Sequence, residues 1–369
     1  MANIRMLWAG SLLMGFSLMT MMQNAPIQAV LLEASFTDVG FLMGFVRNFL
    51  YVLLSPLTAV FLGHVKWNIP LPVSGLLMTL VSMLMYFAGD LSMVLAAQLV
   101  MGVSMFCFFP CGESIVSYSF DGAGRLKAFS LFLSAVSAGF LLGSVFSGLV
   151  AYVFGLKQIF LLAAIVSASS SVLLAKANLS TIQMTSSNNG NILKTALPIL
   201  YSAPFFLILA ASYSVFPGYL ILTGFTELDV GLLFFTLMLS RMLTSFGLSR
   251  MKPTNVKQLL IILSAATALS FIITSMYPSS FHSYVILLIL IGAAVSVAYI
   301  LTLYLVSEET AGQNPAFFIG MFEALIGFSF LTGPLVAGVL MDVYGFSAVL
   351  AVFGLSAVVG GLMNFRTRV

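Results

Sequence analysis

Four ionisable side chains stand inside long apolar stretches: Arg47, Glu113, Arg241 and Glu323. A charge near the centre of a bilayer costs about 2.5–3.5 kcal/mol on insertion scales, so such residues face a protein interior or water. Two guanidiniums at mid-depth repel each other unless neutralised. One account is an anionic solute held by the forks of Arg47 and Arg241. The other is structural, with each arginine locking helices through a carboxylate or a carbonyl. Burial favours the neutral form of a carboxyl, which suits Glu323 to carry a coupling proton. Glu323 suits the counter-ion of an arginine equally well. Glu113 reads as a gate or interface residue.

Uncharged polar residues add a second pattern. Ser17, Thr20, Asn24 and Gln28 recur at spacings of three and four, which places them on one helix face, with Gln23 beside it. Tyr213, Ser214 and Tyr219 are candidates in a later stretch. These groups bind substrate or make ordinary interhelical hydrogen bonds. Pro26 and Pro217 each remove a backbone donor, which predicts a bend in both helices.

Other chemistries find no residues. His64 and His282 are placed by the expected topology in loops on opposite sides of the membrane. Cys107 and Cys111 share one helix face and read as small buried hydrophobes. With no ligand or nucleophile–base cluster, neither enzyme activity nor a cofactor or metal is expected. No G-x-x-x-x-G-K-[ST] loop is present to drive a pump with ATP. A net charge of +3 gives no reason to expect nucleic acid.

The elements that position these residues follow from composition. Of 369 residues, 61% are hydrophobic and only 7% charged, where a soluble domain carries about 25% charged residues. Mean hydropathy is +1.13. Lipid must therefore be the solvent for most of the surface. A span needs about 20 apolar residues. Twelve stretches qualify: 6–32, 38–62, 69–89, 91–118, 128–154, 158–175, 196–222, 230–249, 258–276, 281–306, 316–341 and 346–364. They are continuous rather than alternating, which predicts helices and not a barrel. The first is too long for a signal core and lacks a cleavage site.

Basic residues orient the chain. With twelve spans and a cytoplasmic start, 11 of the 14 Lys and Arg residues fall on the inner side, and only Lys157 falls in an outer loop. Both termini are expected in the cytoplasm, with the chain in the plasma membrane. The stretch from Lys176 to Thr195 is rich in Ser, Thr, Asn and Gly and reads as a flexible linker. It separates residues 1–176 and 196–369, with 177–195 between them.

The two parts repeat. At an offset of 190, Gly102, Gly122, Gly143, Gly148 and Gly155 meet Gly292, Gly312, Gly333, Gly338 and Gly345. At an offset of 191, Pro26 meets Pro217, and Asp38-Val39-Gly40 meets Asp229-Val230-Gly231. Two six-span units that start on the same side are parallel repeats, with a substrate site between them near the midplane. Arg47 follows Asp38 by nine residues and Arg241 follows Asp229 by twelve. A difference of three, nearly one turn, points both arginines the same way at different depths.

The glycine-rich segments resemble the major facilitator superfamily over essentially the whole chain. Gly139, Gly143, Ser144, Ser147 and Gly148 are similar to the family's span-5 pattern G-x-x-x-G-P-x-x-G-G, with Ser for the Pro and for one Gly. Gly333, Pro334, Ala337 and Gly338 keep the Pro in span 11. After span 2, Gly63 and Lys66 keep part of G-x-x-x-D-R-x-G-R without the acid, and Gln98 stands where proton-coupled members carry a span-4 Arg.

The resemblance implies an all-α membrane protein of twelve transmembrane helices in two pseudo-symmetric six-helix bundles. Spans 1 and 7 would line the cavity, and the charge-free spans 3, 6, 9 and 12 would face lipid. It implies a secondary transporter, acting as a monomer by alternating access on a small solute, with an organic or inorganic anion as the candidate and a proton as coupling ion. Paired arginines in spans 2 and 8 are the arrangement of the nitrate/nitrite branch, whose Asn-bearing glycine motifs are missing here. A proton-coupled exporter of drug-like compounds is the alternative, favoured by the span-5 glycines and the many aromatic residues.

Overall fold

A computed structural model describes residues 4–66, 68–119, 122–177, 192–248, 251, 253–309 and 315–365. The core of the expected linker, 178–191, lies outside the described residues, as do Arg250, Lys252, Arg366 and Arg368.

Among the described residues, twelve helices are long and apolar enough to cross a membrane. They are span 1 (Arg5–Leu31), span 2 (Phe36–His64), span 3 (Pro70–Phe87), span 4 (Leu91–Ile115), span 5 (Phe132–Phe154) and span 6 (Leu156–Ala175). The second set is span 7 (Leu200–Leu222), span 8 (Glu227–Leu248), span 9 (Asn255–Met276), span 10 (Phe281–Thr302), span 11 (Ala316–Tyr344) and span 12 (Phe346–Asn364). The protein is an all-α membrane protein with its helices in two six-helix bundles. The face on which span 1 begins is called proximal below, and the opposite face distal.

The repeat has structural causes. Ser35 caps span 2 through a capping box with Asp38. Thr226 and Asp229 exchange the same pair of hydrogen bonds at the start of span 8. The matched aspartates therefore satisfy backbone donors that a helix start leaves unpaired. Gly155 and Gly345, with φ of 92° and 79°, each form the left-handed break between two adjoining helices.

Among the contacts between the halves, two are seams built on glycine in matched positions of the repeat. A Cβ on Gly148 of span 5 would lie 2.6 Å from the Glu227 carbonyl oxygen of span 8. A Cβ on Gly338 of span 11 would lie 2.2 Å from the Phe36 carbonyl oxygen of span 2. Any side chain there would push the helices apart. Gly139 and Gly143 serve a different contact, against Leu12 and Phe16 of span 1. Asp342 reinforces the second seam by accepting hydrogen bonds from the N–H groups of Phe36 (3.1 Å) and Thr37 (2.6 Å).

The expected pair of proline bends is realised unequally. Span 1 runs as one helix through Pro26. Span 7 is interrupted at Val215, and Pro217 lies in the first turn of the segment Phe216–Leu222. Proline is tolerated in a first turn, where its missing N–H is not needed.

Candidate functional site

Span 2 is not a uniform α-helix. Residues Phe41–Val46 form a wider π-helical turn, and Arg47–Leu54 resume the α-helix. The Asn48 side-chain amide donates to the carbonyls of Met43 (3.3 Å) and Gly44 (2.9 Å), and to Phe330 of span 11 (3.1 Å). It thus adds a side-chain donor to carbonyls of the wide turn, and ties the turn to the other half.

The wide turn explains why the repeat changes register. Before it, Gly40 meets Pro334 as Gly231 meets Ser144, an offset of 191 for the glycines. After it, Gly102 would touch the Arg47 carbonyl oxygen and Gly292 the Leu237 carbonyl oxygen, an offset of 190. A π turn holds one extra residue. Arg47 therefore corresponds to Leu237, and Arg241 corresponds to Tyr51. The two arginines stand four residues apart in the common frame, a full turn or about 6 Å, rather than the three expected from counting.

Arg47 is buried, with 3% of its surface exposed. Its Nε donates to the Gln98 Oε1 of span 4 at 2.7 Å, and Nη2 lies 2.9 Å from the Met43 sulfur. Among the described residues, no carboxylate pairs with it or acts on it electrostatically. The amide nitrogen of Gln98 is buried without a partner. A thioether is a weak acceptor, and a guanidinium carries five N–H donors. The arrangement is therefore a desolvated cation with spare donors and no carboxylate among the described residues to pair with.

One turn nearer the proximal face lies a second cluster. Tyr51 donates a hydrogen bond to the Glu323 carboxyl of span 11. Glu113 of span 4 lies within hydrogen-bonding reach of Glu323. Tyr299 of span 10 feels the charges of Glu113, Glu323 and Arg241, and packs edge-on to Phe206 and Phe322. Arg241 is half-buried, its Nη1 3.5 Å from the Tyr213 hydroxyl. Tyr213 stacks on Phe234 at 5.6 Å and tilts against Phe330 at 6.3 Å.

The polar stripe of span 1 divides. Ser17 reaches the Ala163 carbonyl of span 6, and Gln28 the Ala88 carbonyl at the end of span 3, so both are used in packing within the first half. Asn24 donates to Thr20, but its Oδ1 is unpartnered. Gln23 is fully buried with neither amide atom paired. Counting could not find the roles of Tyr51 and Tyr299, because tyrosine is common in apolar helices. Tyr51 does carry one signal, four residues from Arg47 on the same face.

Among the described residues, no group of His, Cys, Asp or Glu is placed to hold a metal ion. Cys107 and Cys111 are buried free thiols. Cys107 lines an apolar cleft of about 340 Å³ between spans 2 and 4, which offers an anion no polar group.

A family model described as Major Facilitator Superfamily matches residues 7–307. The chain belongs to the major facilitator superfamily. This major facilitator protein is thus a multi-pass secondary transporter by family and by its twelve spans. No curated protein matches it. In this superfamily member the glycine seams and the Tyr51–Glu323 contact lie where two bundles meet.

Proposed function

We propose that the protein moves a small anionic solute by alternating access, with Arg47 as its principal binding group and a proton as coupling ion. The observation that carries this reading is a buried guanidinium with no carboxylate partner. An unpaired buried ion costs several kcal/mol even after relaxation. A bound anion removes that cost, and the free donor of Gln98 adds a second contact. Gln23 and the Asn24 Oδ1 supply further unpaired polar atoms for the rest of the solute. Arg241, a turn nearer the proximal face, is a second station along the path rather than the other jaw of one clamp.

The excess of basic residues on proximal segments supports a cytoplasmic proximal face and cytoplasmic termini in a plasma membrane. The self-contained pair of bundles fits a monomer. The aromatic wall around Tyr213 supports the runner-up, a proton-coupled exporter of amphipathic compounds.

The test is uptake into proteoliposomes across a panel of inorganic and organic anions and neutral drugs, with and without a pH gradient. Saturable anion uptake that is lost in Arg47→Gln supports the proposal. Drug transport indifferent to Arg47→Gln, with no anion taken up, replaces it with the exporter.

A further inference from the structure

We propose that the solute is a small hydroxycarboxylate, and that Gln23 of span 1 selects it by pairing with the hydroxyl. The proposal rests on the anion reading of Arg47 and names the rest of the solute.

Gln23 is fully buried, and both its amide atoms lack a partner. Two neighbours on the same stripe fix the way it faces. Met19, four residues before it, meets Gly143 of span 5, where a Cβ would lie 3.1 Å from the Met19 Cβ. Val30, seven residues after it, meets Gly218 of span 7, where a Cβ would lie 2.7 Å from the Val30 Cγ2. Residues at these spacings share a helix face. Gln23 therefore faces between span 5 of the first half and span 7 of the second, whereas Ser17 and Gln28 turn to spans 6 and 3.

Depth brings Gln23 level with the Arg47 guanidinium. The Gln28 amide donates to the Ala88 carbonyl at 3.3 Å, which holds the distal end of span 1 beside the turn that precedes span 4. Gln23 lies eight residues in from the distal end of span 1, and Gln98 seven residues in from the distal end of span 4. At a rise of about 1.5 Å per residue, both amides stand about 10–12 Å below the distal ends of their helices. Gln98 accepts from the Arg47 Nε at 2.7 Å, so the guanidinium shares that level. Span 1 is in contact with spans 2 and 4.

The unpaired atoms define what fits among them. Arg47 has spare N–H donors, and the Gln98 Nε2 is a free donor. Donors alone suit a carboxylate. Gln23 offers a free acceptor, Oε1, and a free donor, Nε2, and the Asn24 Oδ1 beside it is a second free acceptor. A hydroxyl both donates and accepts, and so complements an amide. Nitrate has acceptors only and leaves both free amide oxygens unpaired. An ammonium has donors only, leaves the Gln23 Nε2 unpaired, and adds a second buried cation near Arg47. A buried polar atom left unpaired weakens binding, so a site built to pair with a hydroxyl rejects the analogue without one.

The experiment measures binding of α-hydroxybutyrate, butyrate, α-aminobutyrate and nitrate to the full-length protein in lipid nanodiscs by titration calorimetry. The hydroxy acid is expected to bind about 5- to 150-fold more tightly than butyrate, and more tightly than the amino acid or nitrate. In Gln23→Met the gap between hydroxy acid and butyrate should close while butyrate still binds, and that retained binding separates lost selection from a damaged fold. In Arg47→Gln binding of both should be lost. No binding of the hydroxy acid, or equal wild-type affinities for it and butyrate, overturns the hydroxycarboxylate; anion binding that is still lost in Arg47→Gln then leaves the anion reading standing. A preference for the amino acid, or a hydroxyl preference that survives Gln23→Met, overturns the proposal as well. Affinities indifferent to Arg47→Gln remove the anion reading, and this one with it.

Discussion

Arg241 occupies, across the internal repeat, the place of Tyr51 and not that of Arg47. The equivalent glycine contacts fix this: Gly102 lies against the Arg47 carbonyl and Gly292 against that of Leu237. The site is therefore asymmetric, with one buried cation on the distal side and a second on the level of the carboxyl pair.

The two arginines should consequently respond differently to the same change. A hydrogen bond to a charged group is worth about 1.5–3 kcal/mol, or about 10- to 150-fold in affinity. Arg47→Gln should weaken anion binding by at least that factor. Arg241→Gln, at a half-buried position 3.5 Å from Tyr213, should cost less in binding and more in transport rate. Binding calorimetry beside initial uptake rates separates the two; equal losses of affinity would refute the asymmetric site.

Asn48 tests the wide turn without touching the cation. Its amide reaches Met43, Gly44 and Phe330. Asn48→Ala removes these side-chain hydrogen bonds, each worth about 0.5–1.5 kcal/mol. A lower thermal midpoint together with weaker anion binding is expected. Unchanged binding would mean that the turn does not position Arg47.

Gly148→Val and Gly338→Val should each hold the distal ends of the halves apart. The Cβ alone meets a carbonyl oxygen at 2.6 Å or 2.2 Å, and overpacking typically costs about 1–3 kcal/mol. That is enough to shift a conformational equilibrium by about 5- to 150-fold. The readout is labelling of Glu227→Cys by an impermeant thiol reagent, which should speed up in Gly338→Val relative to Glu227→Cys alone. No change in labelling would argue that the seam does not open.

Asp342→Ala removes the carboxylate that accepts from Phe36 and Thr37 at the start of span 2. Loss of such a cap costs about 0.5–2 kcal/mol. Because donor and acceptor lie on different halves, the loss should favour the distal-open state and not merely fray a helix. Asp342→Asn, which keeps one acceptor oxygen, should fall between the two. Thiol labelling at the same distal position measures the shift, and identical rates in all three proteins would remove the cap from the gate.

The sequence by itself determined the solvent, the number of crossings and the duplication. These follow from apolar length, from the scarcity of charge and from residues with one mechanical job. Asp38 and Asp229 are matched because both helix starts need the same cap, and Gly148 and Gly338 because both seams allow no side chain. It also selected Arg47, Glu113, Arg241 and Glu323, since a charge within a bilayer demands a buried reason. Tertiary structure alone decided which of them meet. The π turn inserts a residue in span 2 that changes no composition or hydropathy signal, yet it resets the register of every residue after it. Glu113 and Glu323, 210 positions apart in the chain, become neighbours only when the bundles close, and Gln28 finds its acceptor in the Ala88 carbonyl at the end of span 3. Local pattern records what each helix must bury; the partner against which it is buried is a property of the whole packing.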